Sequence, residues 1–329
     1  MVKHLRIVSA MLGVVAALAA LAGIVTHYLR IVSSTATRIA SFTPYLILLT
    51  VPAILLLLFA RQRALAAVCV LIAGAGVWSQ LPLFVGTSHP PLAADGLTVR
   101  LMQANIFLGQ ADAGAIVRTV QDERVDLLTV VELTPDAVGR LKAAGLERTL
   151  PYSFLRPRTG GGGAGIFSRF PLHDGTLLEG YALNNVKAVA AIPGSPPTAV
   201  YALHPVPPFP EPAWKWVHEL QRLRAEFATQ TRPMIVGADF NSTYDHRQFR
   251  DLVNDSVAEG TGPLLDAQQY LGAGLIMTYP ADQWYPALLG IDKILTRGPL
   301  PVAIHRIDLP GSDHHGLIGD IRVKPVSQP

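Results

Sequence analysis

Hydrophobic and polar positions follow two regimes along this chain. Residues 7–26, 39–60 and 64–86 contain no Asp, Glu, Lys or Arg, and each approaches or exceeds the roughly 20 residues that cross a bilayer. The pattern predicts three transmembrane helices within residues 1–86. Lys3 and Arg6 precede the first stretch, as in a cleavable signal peptide, but its length and the two stretches that follow favour a span. Residues 87–97 (TSHPPLAADGL) read as a Pro/Gly linker. After it LTVRLMQANIF alternates as a strand, ADAGAIVRTVQDERV has helical spacing, and DLLTVVEL is the continuous apolar run of a strand covered on both faces. Further strands are expected at 165–168, 187–192, 198–203, 234–238, 291–296 and 317–323, with a helix over 212–229. This order predicts an α/β domain over 98–329, with mixed sheets covered by helices.

Composition sharpens the division. Half of the 329 residues are hydrophobic and the mean hydropathy is +0.33, too apolar for an ordinary soluble domain. Six of the 27 Lys and Arg, and none of the 24 Asp and Glu, fall in the first 86 residues. The remainder therefore holds 21 basic against 24 acidic residues, a net of −3. An acidic domain lacks the broad basic footprint of a general nucleic-acid binder. Lys3, Arg6, Arg61 and Arg63 group at one end of the spans and Arg30 and Arg38 at the other. The positive-inside tendency then predicts a cytoplasmic N-terminus and, with three spans, an extracytoplasmic C-terminal domain. The one cysteine, Cys69, lies in the third stretch, which excludes disulfides and thiolate metal sites within the chain.

Candidate chemistry gathers where the predicted strands end. In order these residues are Asn105, Glu132, His204, Asp239 with Asn241, Asp292, and Asp313 with His314. Taken singly, each has a structural explanation as a turn residue, a cap or a satisfied core histidine. A carboxylate closing an apolar strand is costly to desolvate unless a cation or hydrogen bonds compensate, and the repetition asks for one common cause. Residues i and i+2 of a strand share a face, so Asp239 and Asn241 are expected to project together. Hard oxygen donors without cysteine or an HExxH pattern suit Mg2+ or Mn2+ better than zinc.

These residues, above all GADFNS around Asp239 and GSDHH around Asp313, resemble the endonuclease/exonuclease/phosphatase family of metal-dependent phosphoesterases. The resemblance implies a four-layer α/β sandwich, two packed mixed β-sheets flanked by helices. It also implies Glu132 as the principal metal ligand with Asn105 and Asp313 in or beside its shell. By the same resemblance Asp239 and Asn241 orient the attacking water and hold a phosphoryl oxygen. His314, its tautomer fixed by Asp292, contacts the phosphate or acts as base, and His204 sits near the leaving group. Val131 and Lys293 stand where the family often has Gln and His, which weakens any transfer of substrate from the nucleases. Among membrane-tethered members the chain is similar to the bacterial VanJ-like group, associated with glycopeptide resistance. That similarity implies a bacterial cytoplasmic-membrane protein and a carrier lipid of the undecaprenyl pyrophosphate type.

Two other functions fit a chain of this kind: an extracytoplasmic nuclease, which predicts a basic groove, and a non-catalytic membrane receptor, which predicts gaps in the catalytic set. The lipid bilayer and a phosphorylated lipid or other phosphoester are the expected partners, and no obligate protein partner is indicated. The run TGGGGAG at 159–165 lacks the Lys-Ser/Thr of a phosphate loop and leads into a strand; a loop beside the site is expected. Arg156, Arg158 and Arg169 near it are candidates to meet an anionic substrate. Phe209, Trp214 and Trp216 in a Pro-rich stretch are candidates for a membrane surface.

Overall fold

The computed structural model describes residues 1–87, 96–258 and 260–323. Most of the expected linker, residues 88–95, lies outside the described residues. The N-terminal part comprises α1 (Val2–Tyr28), α2 (Ser34–Ser41), α3 (Thr43–Leu48), α4 (Thr50–Phe59), α5 (Arg63–Gln80) and the short α6 (Pro82–Val85). Among the described residues, only α1 and α5 are long and apolar enough to cross a membrane as single helices. The expected second span differs: α2 meets the Thr43–Phe59 segment at 63°, so this bent pair makes a third span only if it is counted as one. Pro44 lies in the first turn of α3. With no N–H, Pro44 cannot carry the helical ladder on from α2 across the corner. Ser33 starts α2 separately, its hydroxyl accepting the Ala36 N–H at 3.2 Å.

The rest of the chain folds around two six-stranded sheets. The first contains β1 (Thr98–Asn105), β2 (Leu127–Val131), β3 (Tyr152–Arg156), β4 (Ala164–Ser168), β11 (Leu300–Ile307) and β12 (Gly316–Arg322), in the order β11-β12-β1-β2-β4-β3. The second contains β5 (Leu172–Leu178), β6 (Asn185–Ala190), β7 (Thr198–Leu203), β8 (Met234–Asp239), β9 (Leu265–Asp266) and β10 (Asp292–Arg297), in the order β5-β6-β7-β8-β10-β9. Each sheet has one parallel pair at its centre, β1 with β2 and β7 with β8. The crossovers are helical, α7 (Ala113–Asp122) in the first sheet and α9 (Ala213–Thr229) in the second. Helices α8 (Pro135–Ala143), α10 (Arg247–Asp255) and α11 (Ala267–Leu271) complete the domain.

Strand parity builds four layers. Leu101, Leu127, Val200 and Ile235 pack in the cluster between the sheets. Their neighbours Met102, Leu128, Tyr201 and Val236 turn outward, the first two toward α7 and α8 and the last two toward α9 and α10. A polar pair interrupts the inner layer: the Thr129 hydroxyl donates to Gln103 Oε1 at 2.6 Å. Gly237 faces this pair, and a Cβ there would stand 2.0 Å from Thr129 Oγ1. The glycine inside the apolar run MIVGAD is thus required by the close approach of the two sheets.

A polar seam joins the N-terminal helices to the domain. Buried Asp245 Oδ1 accepts from Gln80 Nε2 of α5 at 2.7 Å and lies 2.7 Å from His27 Nδ1 of α1. Arg250 donates to the His27 carbonyl and, at 2.6 Å, to that of Tyr244. Arg30 pairs with Asp251 at 2.6 Å. The Tyr45 hydroxyl donates to the Leu288 carbonyl at 2.9 Å.

Candidate active site

The residues that alternate between the sheets continue to one edge of the inner layer and become polar there. Gln103 is followed on the same face of β1 by Asn105. Val200 and Ala202 of β7 lead to His204, and Ile235 and Gly237 of β8 lead to Asp239. On β10, Ile294 leads back to Asp292, which stands opposite Asp239 in the antiparallel register. Period-two alternation therefore delivers four separate polar groups to one place.

Their contacts are mutual. Asn105 Nδ2 donates to Glu132 Oε1 and Asp239 Oδ2, both at 3.0 Å, and lies 3.4 Å from His314 Nε2. Its Oδ1 accepts the Phe107 N–H at 3.0 Å. Glu132 Oε2 accepts the Leu108 N–H at 2.6 Å. Asp239 Oδ1 accepts the Asn241 N–H at 2.8 Å, while Oδ2 lies 3.5 Å from His204 Nε2 and 3.7 Å from His314 Nε2. His314 Nδ1 meets Asp292 Oδ2 at 2.8 Å. Asn241 does not share a strand face with Asp239: its φ is 50°, and its side-chain amide donates to the Pro205 carbonyl at 3.0 Å, tying the end of β8 to the turn after His204. Glu132, Phe107 and Leu108 also have left-handed φ of 59°, 44° and 51°. Backbone strain of this kind in non-glycine residues persists where surrounding contacts over-determine it.

The cluster forms the floor of a cavity of about 460 Å³, lined there by Glu132, His204, Asp239, Asn241, Asp313 and His314. Asn105 and Asp292 stand behind it, fully and almost fully buried. Burial opposes protonation of His314, but Asp292, Asp239 and Asp313 together outweigh it and push the imidazole up to about 10. Burial pushes the Asp313 carboxyl up to about 6, with the Glu132 charge adding to the shift and His314 opposing it. Asp313 Oδ1 is buried without a hydrogen-bond partner. Glu132, Asp239 and Asp313 thus crowd acceptor oxygens around one edge of the cavity, a donor set that fits a hard divalent cation. Ligand atoms of Asp239, Asp292 and His314 also lie within 4.8 Å of one another. In that trio the close His314–Asp292 pair already occupies Nδ1, so the arrangement there is that of a carboxylate holding an imidazole.

Several residues outside the sequence candidates support this edge. Asn185, at the start of β6, accepts the His204 N–H at 2.7 Å. Ser312 donates to the Asn105 carbonyl at 2.8 Å and accepts the His314 N–H at 3.0 Å. The Tyr279 ring lies 4.9 Å from that of His314. A lone Asn before a strand and a Ser in a loop carry no sequence signal that separates them from ordinary turn residues. Gly160 and Gly161 of the glycine run border the cavity; no helix follows the run, which leads into β4. The three arginines near it point elsewhere. Arg156 stacks on Phe154 at 4.3 Å, Arg158 donates to the Ala182 carbonyl at 2.7 Å, and Arg169 pairs with Asp126 at 3.3 Å. Of the aromatic candidates, Phe209 and Trp214 are exposed, whereas Trp216 is a core residue of the layer under α9. Its indole N–H donates to the Phe240 carbonyl at 3.2 Å.

Residues 102–314 match the Endonuclease/Exonuclease/phosphatase family, and the chain belongs to that family. Its members are typically metal-dependent phosphoester hydrolases, and in general they use a divalent metal. Among solved structures the fold is similar to a humanized TDP2 of D. rerio carrying 14 mutations (TM-score 0.55, 16% identity, 68% of this chain and 98% of that one). It is also similar to an endonuclease/exonuclease/phosphatase from Bacteroides vulgatus (TM-score 0.53, 16% identity, 69% and 100%), and to SmcL (TM-score 0.51, 12% identity, 68% and 99%). At these identities the likeness concerns the fold. The comparison with curated proteins gives no match.

Proposed function

We propose that this protein is a membrane-anchored, divalent-metal-dependent phosphoesterase. In this reading it hydrolyses a phosphate or pyrophosphate ester of a lipid-linked substrate of the bacterial cell envelope, with its catalytic domain outside the cytoplasmic membrane. The observation that carries the reading is the cavity itself: a floor of carboxylates and imidazoles with largely apolar walls, among them Leu108, Leu183, Pro207 and Leu289. A nucleic-acid groove needs a row of cations along the backbone path. Arg156, Arg158 and Arg169 do not line this cavity.

Within this reading each side chain has a task. Glu132 and Asp313, with Asn105 beside Glu132, would hold the divalent cation, which when bound neutralises phosphate charge. Asp239 is oriented by Asn105 and by the Asn241 N–H, leaving its Oδ2 edge to accept a proton from an attacking water. His314, held by Asp292, presents Nε2 to a phosphoryl oxygen as a charged donor. His204, whose Nε2 lies 3.5 Å from Asp239 Oδ2, serves the departing oxygen. Asn241 anchors the His204 turn.

The test is a substrate panel run on the full-length protein in detergent, with Mg2+ or Mn2+ and with a chelator. A long-chain lipid pyrophosphate, a phospholipid and DNA are compared. Metal-dependent hydrolysis of a lipid phosphoester in preference to DNA is expected; preferential cleavage of DNA rejects the lipid reading.

A further inference from the structure

The cavity has a second wall, and it belongs to the N-terminal helices. Thr37, Arg38 and Ser41 of α2 and Phe42 at the α2–α3 corner line it together with the catalytic floor. Arg38 is the one Lys or Arg among the lining residues. Its contacts among the described residues are the Ser34 carbonyl at 3.3 Å, within its own helix, and the Phe209 ring at 5.1 Å. An exposed guanidinium without a carboxylate partner thus shares a cavity with three carboxylates. A phosphoester bound there would bring negative charge against an acidic floor, and a facing cation offsets that repulsion.

The corner is firmly seated. The Thr243 N–H donates to His246 Nδ1 at 2.9 Å, which leaves Nε2–H to donate to the Thr37 carbonyl at 3.1 Å. The Tyr45 hydroxyl fastens the start of α3 to Leu288, next to the lining residue Leu289. Phe42 and Phe209 are both exposed apolar side chains at this cavity, and Phe42 leads directly into the apolar Thr43–Phe59 segment.

We infer that the α2–α3 corner is a substrate-binding wall rather than part of a passive anchor. Arg38 takes a phosphoryl oxygen of the ester, and Phe42 with Phe209 takes the first carbons of an alkyl or isoprenyl chain running toward the membrane helices. The substrate class is an amphiphilic phosphoester, its reactive phosphate held between the domain and the bent helix pair. This assignment rests on the phosphoesterase reading above.

Two esters with the same scissile bond test it: hexadecyl p-nitrophenyl phosphate and methyl p-nitrophenyl phosphate. In each, water adds to phosphorus, the bond to the aryl oxygen breaks, and nitrophenolate leaves. Full-length wild type, Arg38→Gln, Arg38→Lys and Phe42→Ala are compared in one detergent, with thermal unfolding midpoints measured in parallel. Arg38→Gln is expected to raise KM for both esters about tenfold or more, the scale of a lost charge-assisted hydrogen bond, with kcat less affected and Arg38→Lys recovering part of the loss. Phe42→Ala is expected to lower the hexadecyl-to-methyl ratio of kcat/KM. If wild type prefers the tailed ester but neither KM nor this ratio moves in the variants, the wall assignment fails and the phosphoesterase reading stands. A joint fall in kcat and midpoint at constant KM makes the corner a structural support and also overturns the assignment. If wild type hydrolyses neither ester while cleaving DNA, the lipid-phosphoester reading itself fails, and the wall assignment with it.

Discussion

Asp239 shows how much one side chain is asked to do. Both of its oxygens are engaged, one by the Asn241 N–H and the other by Asn105, with two imidazoles within 3.7 Å. Replacing one oxygen by NH2 in Asp239→Asn sets a donor against a donor at a cost on the order of 1 kcal/mol. It also removes the proton acceptor, which lowers kcat by about 10²–10⁴-fold. Steady-state kinetics beside a thermal midpoint check this: activity should collapse while the fold survives. Unchanged turnover would reject the role. The same residue marks what was legible in advance. Asp239 could be found because a carboxylate ends an apolar run, but its hydrogen-bond partner Asn105 lies 134 positions away, and no local pattern states which strand ends meet. Asn185 and Ser312 were illegible for a simpler reason, since their work is to hold backbone groups that any turn residue could hold.

At the scale of the element, Gly237 and His246 carry separate lessons. A Cβ on Gly237 would enter the gap occupied by Thr129 Oγ1 at 2.0 Å and Gln103 Oε1 at 3.0 Å. Gly237→Ala should therefore cost about 1–3 kcal/mol as overpacking and lower activity as well, because Asp239 is two residues along the same strand face. Denaturant unfolding measures the first effect, and adding Thr129→Ala should recover part of it. His246, at the start of α10, is wholly buried, and burial pushes its imidazole down to about 4, with the Thr37 carbonyl and Asp245 opposing the shift. The folded state thus prefers the neutral ring. Its contribution is complete above the ordinary value of 6.5 and is lost as pH falls from there toward 4, because the unfolded chain takes up the proton first. That window is worth about 3 kcal/mol. Thermal midpoints between pH 7 and pH 4.5 should fall more steeply in wild type than in His246→Gln; parallel profiles would exclude His246 as the source.

For the whole molecule, the seam decides whether the N-terminal helices and the C-terminal domain act as one body. Asp245 is buried with one donor from α5 and a close histidine from α1. Asp245→Ala strands Gln80 and His27 without their shared acceptor, at a cost of about 3 kcal/mol. The full-length protein in detergent should show a lowered midpoint, and a midpoint equal to wild type would mean the seam contributes nothing to stability. If the proposed function holds, phosphoester hydrolysis should fall together with the midpoint.

Local pattern was enough for the apolar N-terminal part, the central strands and crossover helices, and the polar residues that close those strands, because burial on one face or both leaves a period that can be read in a few residues. Edge strands β3, β5 and β11, with their more exposed residues, left a weaker trace. The expected second span at 39–60 is interrupted by a 63° break between Ser41 and Thr43, because apolar composition is indifferent to a change of direction. Only long-range packing brought Asn105, Glu132, Asp239 and His314 to one edge, turned Asn241 out of the strand, buried Trp216 and placed Arg38 over the same cavity. Contacts between residues far apart along the chain depend on how sheets stack and which strands neighbour each other, and hydrophobic periodicity contains neither.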